Sequence, residues 1–189
     1  MRAIVVCGLA FLLAGLAVAQ ATKIVSPDNR IELNVHVPSS GPNAGWLTYE
    51  VNYGGKPLIA SSRLGLKLEG RAALGEKATI LEATPLSGSD SYRLLHGRAS
   101  RVEHPWRGAR IRTESAGGPL EIEVRAYNDG VAFRYRLPAA LGKFAVEREL
   151  TQFQVAREGT AYPLILAGFR TSYEDNYVAL PLTAIKPDS

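Results

Sequence analysis

The sequence is poor in sulfur: its 189 residues include one cysteine and one methionine. The cysteine, Cys7, lies in the first 19 residues, and these read as a cleavable leader. After Arg2 the stretch Ala3 to Ala19 carries no charge, its apolar run covers Ile4 to Leu16, and it ends in Ala17-Val18-Ala19, a small-x-small cut pattern. On this reading the mature chain starts at Gln20 and has no thiol, which excludes disulfides, a cysteine nucleophile and any cysteine-ligated metal. An exported chain without disulfides is held by its core, so the expected location is periplasmic or secreted.

Long hydrophobic runs are missing after the leader. None nears the ~18 residues that cross a bilayer, so no membrane partner is expected after cleavage. A one-sided block of charge is missing as well. Losing Arg2 lowers the net charge from +4 to +3, and the 16 Arg and 6 Lys are spread along the chain and interleaved with Glu, so nucleic acid is not an expected partner. The remaining stretch, 20–189, suffices for one well-buried domain but is too short for a (β/α)8 barrel, which needs about 200 to 250 residues. A barrel enzyme cannot be complete here.

Helical periodicity is absent: no segment sustains a 3.6-residue apolar period for three turns, so almost no helix is expected. What is present is β pattern. From Arg30 to Val37 the apolar Ile31, Leu33, Val35 and Val37 alternate with polar residues, as in a half-buried strand. Further strands are predicted at 46–53, 56–60, 64–68, 78–83, 91–95, 99–103, 109–114, 120–128, 131–137 and 145–155, separated by Gly, Pro, Ser and Asn. About a dozen short strands without βαβ alternation predict an all-β fold, a large two-sheet antiparallel sandwich.

The hairpin around Asn128-Asp129-Gly130 has flanks sharp enough to discuss register. Its apolar faces are Leu120, Ile122, Val124, Ala126 and Val131, Phe133, Tyr135, Leu137, so paired position numbers must have an odd sum. A sum of 259 puts Asp-Gly at the tip of a tight turn and sets Arg125 opposite Arg134. A sum of 257 sets Glu123 against Arg134 and Glu121 against Arg136. Turn geometry is the stiffer constraint and favours 259, with an acidic group expected between Arg125 and Arg134.

Chemistry-bearing patterns are scarce. Paired carboxylates could serve as general acid and base, but Glu121, Glu123, Glu147 and Glu149 alternate with apolar residues and read as solvated strand faces. His36, His96 and His104 lack metal spacing, no serine sits in a Gly-x-Ser-x-Gly elbow, and no glycine-rich loop could cradle a phosphate. No catalytic residue is assigned. The aromatic groups able to stack on a flat or ring-shaped ligand are Trp46, Trp106, Tyr162, Tyr173 and Tyr177. Glu174 and Asp175 alone read as an acidic loop, since calcium takes six to eight oxygen ligands.

The run Arg125-Ala126-Tyr127-Asn128-Asp129-Gly130-Val131-Ala132-Phe133-Arg134-Tyr135 resembles a stretch in the N-terminal domain of glycoside hydrolase family 97, a family of bacterial α-glucosidases and α-galactosidases. Ser26-Pro27-Asp28-Asn29-Arg30, Ser62-Arg63-Leu64-Gly65-Leu66 and Ser172-Tyr173-Glu174-Asp175-Asn176-Tyr177, followed by Pro181-Leu182-Thr183, resemble it in the same order. The resemblance covers roughly 24–186 and implies a galactose-mutarotase-like β-super-sandwich ahead of a catalytic barrel that holds the catalytic carboxylates. It further implies that the family domain runs past Ser189, so this chain is expected to be incomplete, with an open sheet edge. Glu174 is the implied calcium ligand; Tyr173 and Tyr177, which flank it, are expected either to line the substrate rim or to dock on the missing barrel, and the partners are that barrel and an oligosaccharide. The competing expectations are a free-standing secreted carbohydrate-binding module and a purely structural envelope domain.

Overall fold

The computed structural model describes residues 21–97, 100–168 and 170–185, so the leader and its cut site lie outside the described residues. Strands β1 (Ala21–Val25), β2 (Ile31–His36), β3 (Thr48–Tyr53) and β4 (Lys56–Arg63) form one antiparallel sheet in that order. After the short β5 (Leu66–Leu68), strands β6 (Thr79–Arg93), β7 (Arg101–Ser115), β8 (Gly118–Tyr127) and β9 (Val131–Arg136) form a second. Strand β10 (Val146–Glu149) pairs with β5, and β11 (Thr160–Ala161) with β12 (Leu180–Pro181). Helix among the described residues is limited to two single 3₁₀ turns, Ala139–Leu141 and Leu182–Ala184.

The two large sheets face each other as a sandwich, with β1 and β2 lying against β7 and β8. The alternation read in the sequence builds its core. Ile31, Leu33 and Val35 of β2, Tyr49 and Val51 of β3, Ala109 and Ile111 of β7, and Leu120, Ile122, Val124 and Ala126 of β8 are all buried. Each large apolar side chain removed from water contributes roughly 1.5–3 kcal/mol, so the period-2 pattern alone drives the two sheets together.

Where the sequence predicted strands at 78–83, 91–95, 99–103 and 109–114, two long strands stand instead. Pro85, Gly88, Pro105 and Gly108, read as breaks, all lie inside the β6–β7 ladder. Pro85 is on the edge strand, and Pro105 lies one residue beyond the β7–β8 pairing, positions where no further ladder needs the missing N–H. The glycines make room: a Cβ at Gly88 would lie 2.8 Å from the Trp106 ring, and one at Gly108 would lie 2.2 Å from the Val124 carbonyl oxygen. The predicted strand 145–155 also shortens, to β10. Its remainder runs along the outer edge of β4, where Ala60 N–H donates to the Gln154 carbonyl and Gln152 N–H to that of Arg63.

The hairpin expectation is corrected. Glu123 pairs with Arg134 and Glu121 with Arg136, so the position sum is 257, not 259. The turn is centred on Asn128-Asp129, and neither residue, nor Gly130, takes the positive φ that a type I′ Asp-Gly turn needs. Two forces outweigh the turn preference. Charge pairing holds the strands, and the Asn128 side chain is engaged elsewhere, accepting a hydrogen bond from the Asp28 backbone at 2.9 Å. An acidic group does join Arg125 and Arg134, and it is Glu123.

Candidate functional site

Along β6 to β9, residues that turn away from the core form two cross-strand rows: Glu82, Arg112, Glu121, Arg136, and Thr84, Arg110, Glu123, Arg134. Arg112 pairs with Glu82 at 3.0 Å, Arg136 with Glu121 at 2.8 Å, and Arg134 with Glu123 at 2.8 Å. Glu123, expected on a solvated face, is only 4% exposed. Long arginine stems from both neighbouring strands cover it.

Next to these rows lies a tighter constellation. Arg125 donates through Nε and Nη2 to Glu123 Oε1, at 3.2 and 2.9 Å, and through Nη1 to Asp90 Oδ2 at 3.2 Å. The Tyr127 hydroxyl donates to Asp90 Oδ2 at 2.7 Å, and Trp106 Nε1 donates to Asp90 Oδ1 at 3.3 Å. The hydrogen bond from Arg134, with that from Arg125, holds Glu123 below the ordinary glutamate range despite its burial. The Tyr127 hydrogen bond, followed by those of Trp106 and Arg125, holds Asp90 low as well. A cavity of about 220 Å³ opens here beside Glu123, Arg125, Tyr127 and Arg134.

A carboxylate held ionised by guanidinium groups on both oxygens cannot serve as the raised-pKa acid that glycoside cleavage uses. The cluster is therefore a clamp on the sheet. It also decides the role of Trp106, because the Arg125 guanidinium carbon sits 4.0 Å from the ring centroid and the ring lies against Gly88. Trp46 is covered in the same way, by Arg63 at 4.7 Å. Each tryptophan thus has one ring face taken by an arginine, which favours packing over sugar stacking. Asp90 escaped the sequence reading, since 84–90 falls between the predicted strands 78–83 and 91–95.

The sequence-predicted site residues lie elsewhere, in a lobe closed by the β11–β12 pair and by a hydrogen bond from Val178 N–H to the Pro163 carbonyl. This lobe brings Tyr162, Tyr173, Glu174, Asp175 and Tyr177 into one loop, with the three tyrosines 65%, 56% and 68% exposed. Tyr173 has φ of 56°, a left-handed conformation that aromatic residues rarely adopt and that recurs where a loop is held for a task. Asp175 Oδ1 accepts from Asn176 N–H at 2.7 Å. Among the described residues no three acidic or histidine groups cluster as a metal site. Glu174, exposed and engaged in no hydrogen bond or ion pair among the described residues, fits a single donor to an ion held mainly by other ligands.

Fold and site define an antiparallel β-sandwich domain stiffened by an arginine–carboxylate face, with an aromatic and acidic loop apart from it. Residues 24–189 match the family described as Glycosyl-hydrolase 97 N-terminal, and the chain belongs to that family, as an N-terminal domain of the glycoside hydrolase family 97 type. A retaining alpha-galactosidase of Bacteroides thetaiotaomicron is 23% identical over 171 residues, which are 86% of this chain and 24% of that protein. A probable retaining alpha-galactosidase of Streptomyces bingchenggensis is 29% identical over 157 residues, 75% of this chain and 23% of that protein. Among solved structures, a family 97 enzyme of Pseudoalteromonas sp. strain K8 in complex with panose superimposes with a TM-score of 0.74 at 23% identity, covering 86% of this chain and 25% of that one. A beta-arabinopyranosidase does so with a TM-score of 0.70 at 24% identity, covering 83% and 26%. The chain thus spans about a quarter of the length of these relatives.

Proposed function

We propose that this chain is the N-terminal sandwich of an exported family 97 glycosidase acting on α-galactosides or α-glucosides. In that protein it packs on the catalytic barrel, shapes the sugar pocket with Tyr173 and Tyr177, and lends Glu174 to a calcium ion at its entrance. The observation that carries this reading is the family match over 24–189 by a chain spanning only a quarter of its relatives. Support for the site comes from the loop, where Tyr173, a backbone outlier, is followed by the exposed Glu174 and by the exposed Tyr177. Calcium would bind and orient sugar-side groups there, with its remaining oxygens coming from outside this chain.

The test is hydrolysis of 4-nitrophenyl α-galactoside and α-glucoside by the parent-length protein and by this chain. Turnover by the former alone is expected. Turnover by this chain, or heat of binding when it is titrated with millimolar melibiose or maltose, would favour a self-contained enzyme or a free-standing binding module instead.

A further inference from the structure

Strand β8 pairs with β7 only from Trp106 onward, so residues 89–93 of β6 and 101–105 of β7 pair with each other and with no third strand. The ribbon continues through Leu94 N–H, which donates to the Ser100 carbonyl at 3.2 Å. Its root is stiff, because Arg125 and Tyr127 of β8 hold Asp90. Beyond that clamp a two-stranded ribbon is marginally stable by itself in water, and residues 91–97 are all exposed.

The chemistry is ordered along this arm. Leu95, near its end, is 93% exposed, with Leu94 at 41% and Tyr92 at 50%. Behind the leucines Arg93 and Arg101 stand directly opposite each other, a like-charge cross-strand pair that costs stability where no anion answers it. Arg93 makes no ion pair among the described residues, and Arg101 reaches Glu103 of its own strand at 2.8 Å. Together with Ser91 and Ser100 the two arginines line an open hollow of about 440 Å³, a set of hydrogen-bond donors suited to phosphate oxygens. The acidic residues stand farther back, Glu103 across from Ser91 and Asp90 across from His104.

This order matches the layers of an anionic bilayer surface. Leu95 lies up to about 7 Å beyond the arginine pair at the rise of a strand, and interfacial segments sink about 5 to 10 Å into the headgroup–acyl boundary. The leucines then meet acyl chains, the arginines stay level with the phosphates, and Tyr92 sits at the interface, where tyrosine is favoured. A second copy of the chain is a poor occupant, because two such tips would meet arginine to arginine. A small anion would fill the hollow and leave the leucines in water.

We infer that the tip of the β6–β7 ribbon is a peripheral docking site for an anionic phospholipid surface, with Leu94 and Leu95 inserted and Arg93 and Arg101 on the phosphates. The contact reaches the acyl boundary without crossing the membrane. It uses none of the residues assigned above to sugar or calcium.

The test mixes the parent-length protein, starting at Gln20, with sedimentable vesicles of phosphatidylcholine, either pure or carrying about 30% phosphatidylglycerol, and reads the bound fraction. The expected result is binding at least about tenfold tighter to the anionic vesicles, weakened at least about tenfold by Leu94→Ser combined with Leu95→Ser. Arg93→Gln combined with Arg101→Gln removes the preference for anionic lipid, while Leu58→Ser, at an exposed leucine of β4, leaves binding unchanged. These side chains face solvent, so the melting temperatures stay at the wild-type value. No binding, equal binding to both vesicles, or binding that the tip variants leave intact would overturn the proposal. So would a lowered melting temperature in the tip variants, which would show the apex buried inside the parent protein. Neither sugar nor calcium enters the readout, so its failure and that of the glycosidase reading are told apart.

Discussion

The backbone N–H of Asp28 donates to the side-chain oxygen of Asn128 at 2.9 Å, joining two loops a hundred residues apart. Both belong to stretches on which the family resemblance was read, and a third such stretch is tied in by Gly65 N–H donating to the Tyr135 hydroxyl at 2.9 Å. Those motifs are therefore the joints of the sandwich. Asn128→Ala should lower stability by about 1 kcal/mol, or roughly 2–4 °C in melting temperature, and Asn128→Asp, which keeps an acceptor, should recover most of it. Thermal denaturation of the two variants decides the point, and an unchanged melting temperature in the alanine variant would count against the joint.

Glu123 holds three arginines with almost no access to water, its side chain being 5% exposed. Glu123→Gln leaves them without their shared anion and should cost about 2 kcal/mol, below the value for a fully buried pair because Arg134 and Arg136 reach solvent. Its folded value lies below the ordinary 4.5. The contribution is thus complete above that value and is lost as pH falls through the lowered one. Urea unfolding should show the gap between wild type and variant closing as the solution is acidified below pH 4.5, and a gap independent of pH would contradict the assignment.

Two glycines separate close approach from mere turn composition. Gly108→Ala puts a methyl 2.2 Å from a backbone oxygen of the neighbouring strand, whereas Gly130→Ala meets nothing within 4 Å and needs no left-handed φ. The first should unfold the domain or lower its melting point by many degrees, while the second should change it by a degree or two at most, in the range of ordinary surface substitutions. Comparable melting curves for the two would refute the close packing of β7 on β8.

Burial pushes the phenols of Tyr49 and Tyr135 up to about 12. A phenol that stays neutral in the fold while titrating near 10 in the unfolded chain stabilises fully below pH 10, and that contribution is lost as pH rises to about 12. On the alkaline side stability should hold from neutral pH to about pH 10 and then fall, and Tyr135→Phe should flatten part of that fall. The variant should also cost about 1 kcal/mol at neutral pH, because Gly65 N–H loses its acceptor. A fall in stability well below pH 10 that Tyr135→Phe leaves unaltered would point to other groups.

Much of this architecture can be read from the sequence because alternation in 31–37, 120–126 and 131–137 is a local property that burial enforces. Register was not legible, since Asp129-Gly130 advertises a turn that only the distant Asp28 and the arginine–glutamate rows override. The long β6 and β7 were hidden by Pro85, Gly88, Pro105 and Gly108, whose fit in a strand depends on neighbours, edge position and the Trp106 ring. Strand β1 was missed because Ala21–Val25 follows the leader reading directly and is too short to show a period. The clamp on Asp90 left no local signal, because its three partners, Trp106, Arg125 and Tyr127, come from two other strands. Glu174 could be singled out only by its motif; the structure adds its exposure and the unusual backbone of Tyr173.

The most direct measurement is calorimetric titration of calcium into the parent-length protein and its Glu174→Gln variant, with sugar-free buffer throughout. The account predicts that the variant binds calcium at least about tenfold more weakly, as expected when one member of a metal's ligand set is lost, with the melting temperature in chelator unchanged. Equal calcium affinity in the two proteins would contradict it.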